Sequence, residues 1–135
     1  MSATTLIAVH NAFRDLAVTG VTNLLLPPAS LTTAVLPCKW VDSLSVQSDR
    51  LRAKTITGHR IFRCRVVIAM SPRTQDTHSQ QWTDTLAMAD TFKAALEGMT
   101  NPTNGLLRYT VTANPYLEDW GFGITADIEA EEFVA

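Results

Sequence analysis

Two stretches of the chain place apolar residues three or four positions apart, which is the spacing of one helical face. The first runs from Thr5 to Val18, where Thr4 or Thr5 can cap the start and Gly20 can end the helix. The second runs from about Ser79 to Gly98. The predicted buried faces are Leu6, Val9, Phe13, Leu16 and Ala17 in the first helix, and Trp82, Leu86, Ala89, Phe92, Leu96 and Met99 in the second.

Four other stretches alternate apolar and polar residues, which is the period of a half-buried β-strand. They are WVDSLSVQ from Trp40, HRIFRCRVVIAM from His59, LLRYTVTA from Leu106 and WGFGITADIEAEEF from Trp120. In the first stretch, the alternation predicts that Trp40, Leu44 and Val46 share one face. Val41 and Ser43 are then expected on the other face.

The order of these elements is helix, strands, helix, strands, which predicts an α+β fold. We expect a four- or five-stranded, mostly antiparallel sheet with both helices on one face and a proline-rich extended arm. With 135 residues, the chain is expected to form a single domain over residues 1–135.

The predicted arm covers residues 22–40, TNLLLPPASLTTAVLPCKW. Its prolines exclude one continuous helix or a central strand, and they favour extended backbone in the residues before them. The apolar side chains either dock on a neighbouring subunit or fold back over the chain's own sheet. We expect at least partial contact between subunits, because prolines lower the entropy cost of ordering the segment. The residues expected to form this contact are Leu26, Pro27, Pro28, Leu31, Val35, Leu36 and Trp40.

Composition narrows the class of protein. The hydrophobic fraction is 46% and the charged fraction is 18%, which are typical of a globular domain. A net charge of −2 gives no overall attraction to nucleic acid or to an acidic membrane. Prolines and polar residues argue against a membrane span in the apolar arm. Without a basic leader of secretory type, we expect an intracellular protein in which Cys38 and Cys64 are buried, reduced thiols.

Residues with catalytic potential do not form a recognisable motif. His10, His59 and His78 have no cysteine, histidine or carboxylate at the spacing of metal ligands. Gly121 and Gly123 lack the third glycine and the following helix of a dinucleotide-binding loop, so relief of crowding in a strand explains them better. We therefore expect no enzymatic activity, no metal and no cofactor.

Charged residues are segregated along the chain. Seven of the eleven basic residues lie between Arg50 and Arg73, whereas the chain after Tyr109 carries six acidic residues and no basic one. These charges could neutralise each other across adjacent strands of one subunit, meet between neighbouring subunits of a head-to-tail ring, or bind phosphate. The candidates for contact between subunits are Arg63, Arg65, Glu129 and Glu131.

The order of elements, the chain length and the segment LLLPPASLTTAVLPCKW resemble the tail terminator proteins of bacteriophages with long, non-contractile tails. The resemblance extends from Thr5 to about Phe133. It implies an α/β fold with helices on a twisted sheet. It also implies a homohexameric ring that caps the tail tube, stops its polymerisation and presents the surface to which the DNA-filled head attaches.

The resemblance implies further partners and a location. The expected partners are other copies of the chain, the major tail tube protein and the head–tail connector or stopper protein, with DNA passing through the lumen without specific binding and with no membrane. The protein would be made in the host cytoplasm and reside in the virion, at the head-proximal end of the tail. Alternatives are a head-completion or neck stopper protein, a minor tail protein, or a nucleic-acid-binding α+β domain that uses the basic strands.

Overall fold

The computed structural model describes residues 4–31, 35–50, 58–72, 78–117 and 120–134. The described elements are α1 (Leu6–Arg14), β1 (Thr22–Asn23), β2 (Cys38–Arg50), β3 (Gly58–Pro72), α2 (His78–Gly98), β4 (Leu107–Leu117) and β5 (Gly121–Val134). The five strands form one sheet in the order β1-β2-β3-β5-β4. Among the strands in these ranges, only the short β1–β2 pair is parallel. The predicted α+β fold with a mostly antiparallel sheet is confirmed.

Both helices pack on the same face of the sheet, which we call the helix-covered face. Helix α1 contacts β2 and β3, and α2 contacts β4 and β5. Val9 and Phe13 from α1 and Phe92 and Leu96 from α2 are buried together with the apolar residues of the strands. The strand residues of this core are Val41, Phe62, Cys64, Val66, Ile68, Ile124, Ala126, Ile128 and Ala130.

A β-bulge at Asp42 corrects one prediction from the sequence. The register of β2 against β3 shifts between Val41 and Ser43. An extra residue reverses the side on which the following side chains point. Trp40 therefore does not share a face with Leu44: Val41 and Leu44 pack in the helix-covered core, whereas Trp40 packs on the opposite face.

Helix α1 starts as predicted but ends earlier. The side chain of Thr5 accepts a hydrogen bond from Ala8 N at 3.2 Å and caps the helix. The helix ends at Arg14 rather than Val18, and the Lys39 ammonium group bonds two carbonyl oxygens at this end. Lysine near the carboxyl end of a helix is favourable because this end carries partial negative charge.

Helix α2 matches its predicted range, but not every residue of the predicted stripe is buried. Phe92 and Leu96 are buried, and Trp82 contacts Phe122 with ring centroids 6.1 Å apart. Leu86, by contrast, is 44% exposed, and Thr85 is buried beside it. Thr85 can occupy the apolar position because its hydroxyl donates to Gln81 O at 2.7 Å, so no polar group is left unsatisfied.

Candidate self-association surfaces

The face opposite the helices has an apolar end, which we call the arm-side cluster. It consists of Cys38, Trp40, Val67, Ala69 and Leu117. Leu24, Leu31 and Leu36 from the predicted arm pack against it, as does Trp120. The predicted arm thus folds back, at these positions, over its own sheet.

Trp40 belongs to the interior of its own subunit. Its side chain is 2% exposed, and its indole nitrogen donates to Asp42 Oδ1 at 3.1 Å. The prediction that Trp40 enters a neighbour's groove does not fit this arrangement, because the ring is already enclosed by its own chain. Leu31 and Leu36 are partly buried in the same cluster, so much of their apolar surface is also used within the subunit.

Other residues of the arm leave their apolar surface in solvent. Leu25 and Leu26 are each 71% exposed, and Val35 is 67% exposed. Pro27 is exposed and Pro28 is partly buried. Backbone hydrogen bonds hold the base of this segment, from Thr22 N to Pro37 O at 3.0 Å and from Leu24 N to Lys39 O at 2.8 Å. The segment therefore leaves the sheet from a fixed base with exposed leucines directly after it.

Beyond the arm-side cluster, the same face of the sheet is polar, and we call this part the open face. The Nε atom of Arg63 lies 3.2 Å from Glu129 Oε1, and the Nε atom of Arg65 lies 2.9 Å from Asp127 Oδ1. These pairs join directly opposed residues of β3 and β5. The hydrogen bond from Arg65 to Asp127 raises the pKa of the Arg65 guanidinium. Charges of these strands thus neutralise each other within one subunit, which was one of the three alternatives drawn from the sequence.

Each ion pair on the open face is about half exposed, which limits what it contributes to stability. The exposed fractions are 46% for both Arg63 and Glu129, and 51% and 56% for Arg65 and Asp127. Exposed pairs contribute roughly 0–1 kcal/mol, because water screens the charges and ordering the side chains costs entropy. Such pairs therefore contribute little to the fold, but each must be broken before its arginine can bind phosphate.

The other predicted contact residue, Glu131, lies beside His59. Its Oε1 atom is 3.2 Å from His59 Nε2, and the His59 ring stacks on Phe133 with centroids 4.9 Å apart. His59 Nε2 has no hydrogen-bond partner among the described residues, so Glu131 lies beside this ring without being firmly engaged by it. Of the other basic residues between Arg50 and Arg73, Arg60 lies near Glu132, and Arg52, Lys54 and Arg73 lie outside the described residues.

Two buried charged residues had no predicted role. Glu132 is 4% exposed and accepts hydrogen bonds from the backbone and hydroxyl groups of Thr4, with Arg60 at 3.8 Å. This contact ties the segment before α1 to β5. Lys39 is fully buried, and burial lowers its pKa to about 8 although Asp15 acts in the opposite direction. In the sequence, Lys39 stands out as a single charge among apolar residues, whereas Glu132 follows another glutamate and carries no such signal.

Two edges of the sheet have no strand partner among the described residues. Strand β2 is 13 residues long, and β1 covers only its first two positions, Cys38 and Lys39. Strand β4 is 11 residues long and pairs with β5 on one side only. Open edges expose backbone N–H and C=O groups that can pair with another strand.

Within the described ranges, no group of three or more histidines, cysteines or carboxylates is placed to hold a metal ion. In the same residues, no helix has both the length and the apolar character needed to cross a membrane. Comparison with protein-family models, curated proteins and solved structures finds no match. Function is therefore inferred from the residues of this chain.

Proposed function

We propose that this protein is a structural subunit of a bacteriophage virion that assembles into a homo-oligomeric ring. The ring would be a hexamer, as in the tail terminator proteins that the sequence resembles. It would cap the tail tube and join it to the head–tail connector, at the head-proximal end of the tail, after synthesis in the host cytoplasm.

The main support for this proposal is the exposed apolar part of the arm. Leu25, Leu26 and Val35 remain about two-thirds exposed or more, although Leu24, Leu31 and Leu36 nearby pack on the arm-side cluster. Leu25 and Leu26 are adjacent in the chain, and exposed apolar patches are typical of interaction sites. Because the base of the segment is already held by backbone hydrogen bonds, its ordering on a neighbour costs less entropy than that of a free chain.

A nucleic-acid-binding function has less support. Two of the arginines that would bind phosphate, Arg63 and Arg65, are engaged by Glu129 and Asp127. Each phosphate contact would first require one of these ion pairs to be broken. We therefore expect DNA to pass through the proposed ring without specific binding.

The mass of the full chain in solution, combined with electron microscopy, tests the proposal. The protein should form rings of one defined mass, alone or when mixed with purified tail tubes, and the rings should sit at the tube end. Binding to the connector without binding to the tube would instead favour a neck stopper protein. A chain that stays monomeric with tubes and with connectors would exclude the ring function.

A further inference from the structure

We propose that the open edge of β4 in one subunit pairs with the open edge of β2 in the next subunit, so that neighbouring sheets become continuous. This inference rests on the proposed self-association and specifies its interface. Both edges are long: β4 has 11 residues, and β2 has 13, of which β1 covers two.

Strand direction favours this pairing. From β2 through β3 and β5 to β4, every neighbouring pair is antiparallel, so the two outer strands β2 and β4 run in opposite directions. Copies related by rotation about a ring axis keep the same orientation relative to that axis. The β4 of one copy then meets the β2 of the next in the antiparallel sense, and the alternation of the sheet continues.

The side chains of the two edges match face by face. On the helix-covered face, Leu44 of β2 and Tyr109 and Val111 of β4 are partly buried against the core. On the open face, β2 carries Ser43, Ser45 and Gln47, and β4 carries Thr110 and Thr112, which are polar. Rotation keeps the helices on one side, so Leu44 and Val46 of β2 lie on the same face as Tyr109 and Val111 of β4, a face on which β2 also carries the polar Ser48.

Charge selects one register for the pair. Asp49 on β2 and Arg108 on β4 are exposed and lie on the open face. Neither has an ion pair in the described part of its own chain. Placing Arg108 opposite Asp49 of the next copy joins opposite charges across strands, which is favourable. The same register sets Thr110 opposite Gln47 and Val111 opposite Val46.

This register also fits the geometry of a closed sheet. Within a subunit, Arg108 lies in the same row as Ser45, through Glu129 and Arg63. If Arg108 pairs with Asp49 of the next copy instead of aligning with Ser45, that copy is shifted by four residues along the strand direction. Each copy contributes four strands (β2, β3, β5 and β4), so the shift is four residues for every four strands. With a rise of about 3.3 Å per residue and strands about 4.8 Å apart, the strands tilt by about 35°, close to the range of closed barrels.

Cysteine cross-linking tests the register in the full chain. With Gln47→Cys and Thr110→Cys in the same chain, mild oxidation should give a ladder of covalent oligomers that ends at the ring size. The matched control combines Gln47→Cys with Thr83→Cys, an exposed position on α2, and should give no ladder. The wild-type chain, in which Cys38 and Cys64 are buried, measures the background of cross-linking by the native cysteines.

Charge reversal provides a second readout. Asp49→Arg and Arg108→Asp should each weaken association about fivefold per interface, and the double reversal should restore it. Rings that form without a ladder would overturn the edge pairing and leave the ring function standing. Covalent dimers from Gln47→Cys alone would overturn it in favour of symmetric β2–β2 contact. Absence of any oligomer, with or without tail tubes, would overturn both proposals.

Discussion

The ammonium group of Lys39 lies 2.7 Å from the carbonyl oxygen of Phe13, at the carboxyl end of α1. It also donates to the carbonyl oxygen of Arg14 at 3.0 Å. A strand residue thus satisfies carbonyls that the helix leaves unpaired, and it does so from a position with no exposure to solvent. The contact fixes α1 on the sheet, but it places a charge in the core.

The first prediction concerns the pH dependence of stability. Burial lowers the pKa of Lys39 from 10.5 to about 8, so below pH 8 the group is protonated in both the folded and unfolded states. Between pH 8 and 10.5 the unfolded chain binds the additional proton, so the free energy of unfolding should rise with pH. The gain from this group is at most about 3 kcal/mol.

Comparison with Lys39→Met isolates this effect. Burial raises the pKa of Cys64 to about 12 and the Lys39 charge acts on it in the opposite direction, so both proteins are compared with Cys64 replaced by alanine. In this background, the difference in unfolding free energy between the chain with Lys39 and Lys39→Met, measured by urea denaturation, should shift in favour of Lys39 from pH 8 to 10.5. A constant difference over this interval would show that Lys39 titrates normally in the folded protein.

The second prediction separates the buried and exposed parts of the arm region. Trp40→Ala should destabilise the subunit by about 3–5 kcal/mol, because it empties a large buried position. The double change Leu25→Ser with Leu26→Ser should leave the melting temperature nearly unchanged and reduce ring assembly. Leu86→Ser, at an exposed site on α2, is the control and should affect neither. Normal assembly of the double variant would remove the support that these leucines give to the proposed function.

The third prediction concerns the contact between Thr4 and Glu132. Glu132→Gln replaces a buried acceptor of hydrogen bonds from the backbone and hydroxyl of Thr4. An unsatisfied buried group costs about 1–3 kcal/mol, so unfolding should require less denaturant. Glu131→Gln alters a more exposed carboxylate and should have a smaller effect. Equal effects of the two changes would mean that the buried contact does not stabilise the fold.

The fourth prediction concerns DNA. With Arg63 and Arg65 paired to Glu129 and Asp127, binding to random-sequence duplex should be negligible at about 0.15 M salt, where the screening length is about 8 Å. Fluorescence anisotropy with labelled DNA measures it, and Arg63→Gln with Arg65→Gln is the matched variant. Micromolar binding that falls steeply with salt and disappears in this variant would instead support the nucleic-acid-binding alternative.

Regular periodicity predicted much of the sheet correctly. The alternation in β3 placed Phe62, Cys64, Val66 and Ile68 on one face, and all four lie in the helix-covered core. No bulge interrupts the strand between these residues, so the alternation of side chains along it is enough to predict which face each one occupies. Relief of crowding, predicted for Gly121 and Gly123, holds at Gly123, where an added side chain would collide with that of Leu117.

Features that depend on distant parts of the chain were not available from periodicity. The sequence shows that basic and acidic residues are segregated, but the pairing of Arg63 with Glu129 depends on the register of β3 against β5. Likewise, nothing in the order of residues places Lys39 under the end of α1, because 25 positions separate it from Arg14. The arm prolines limited regular structure but did not specify which leucines would pack inward.

The bulge at Asp42 makes the sidedness of β2 depend on the number of its residues rather than on their chemistry. Val41 and Ser43 already pair with consecutive residues of β3, Val66 and Arg65, so deleting Asp42 would leave a regular strand with every pair and every face unchanged. Straightening the strand with Asp42 retained would instead act as a frameshift in space: with the later half held in place, Trp40 would turn toward the helices and Lys39 away from Phe13. Homologous chains that keep this architecture should therefore either carry one extra residue between Trp40 and Leu44 as a bulge or lack it altogether.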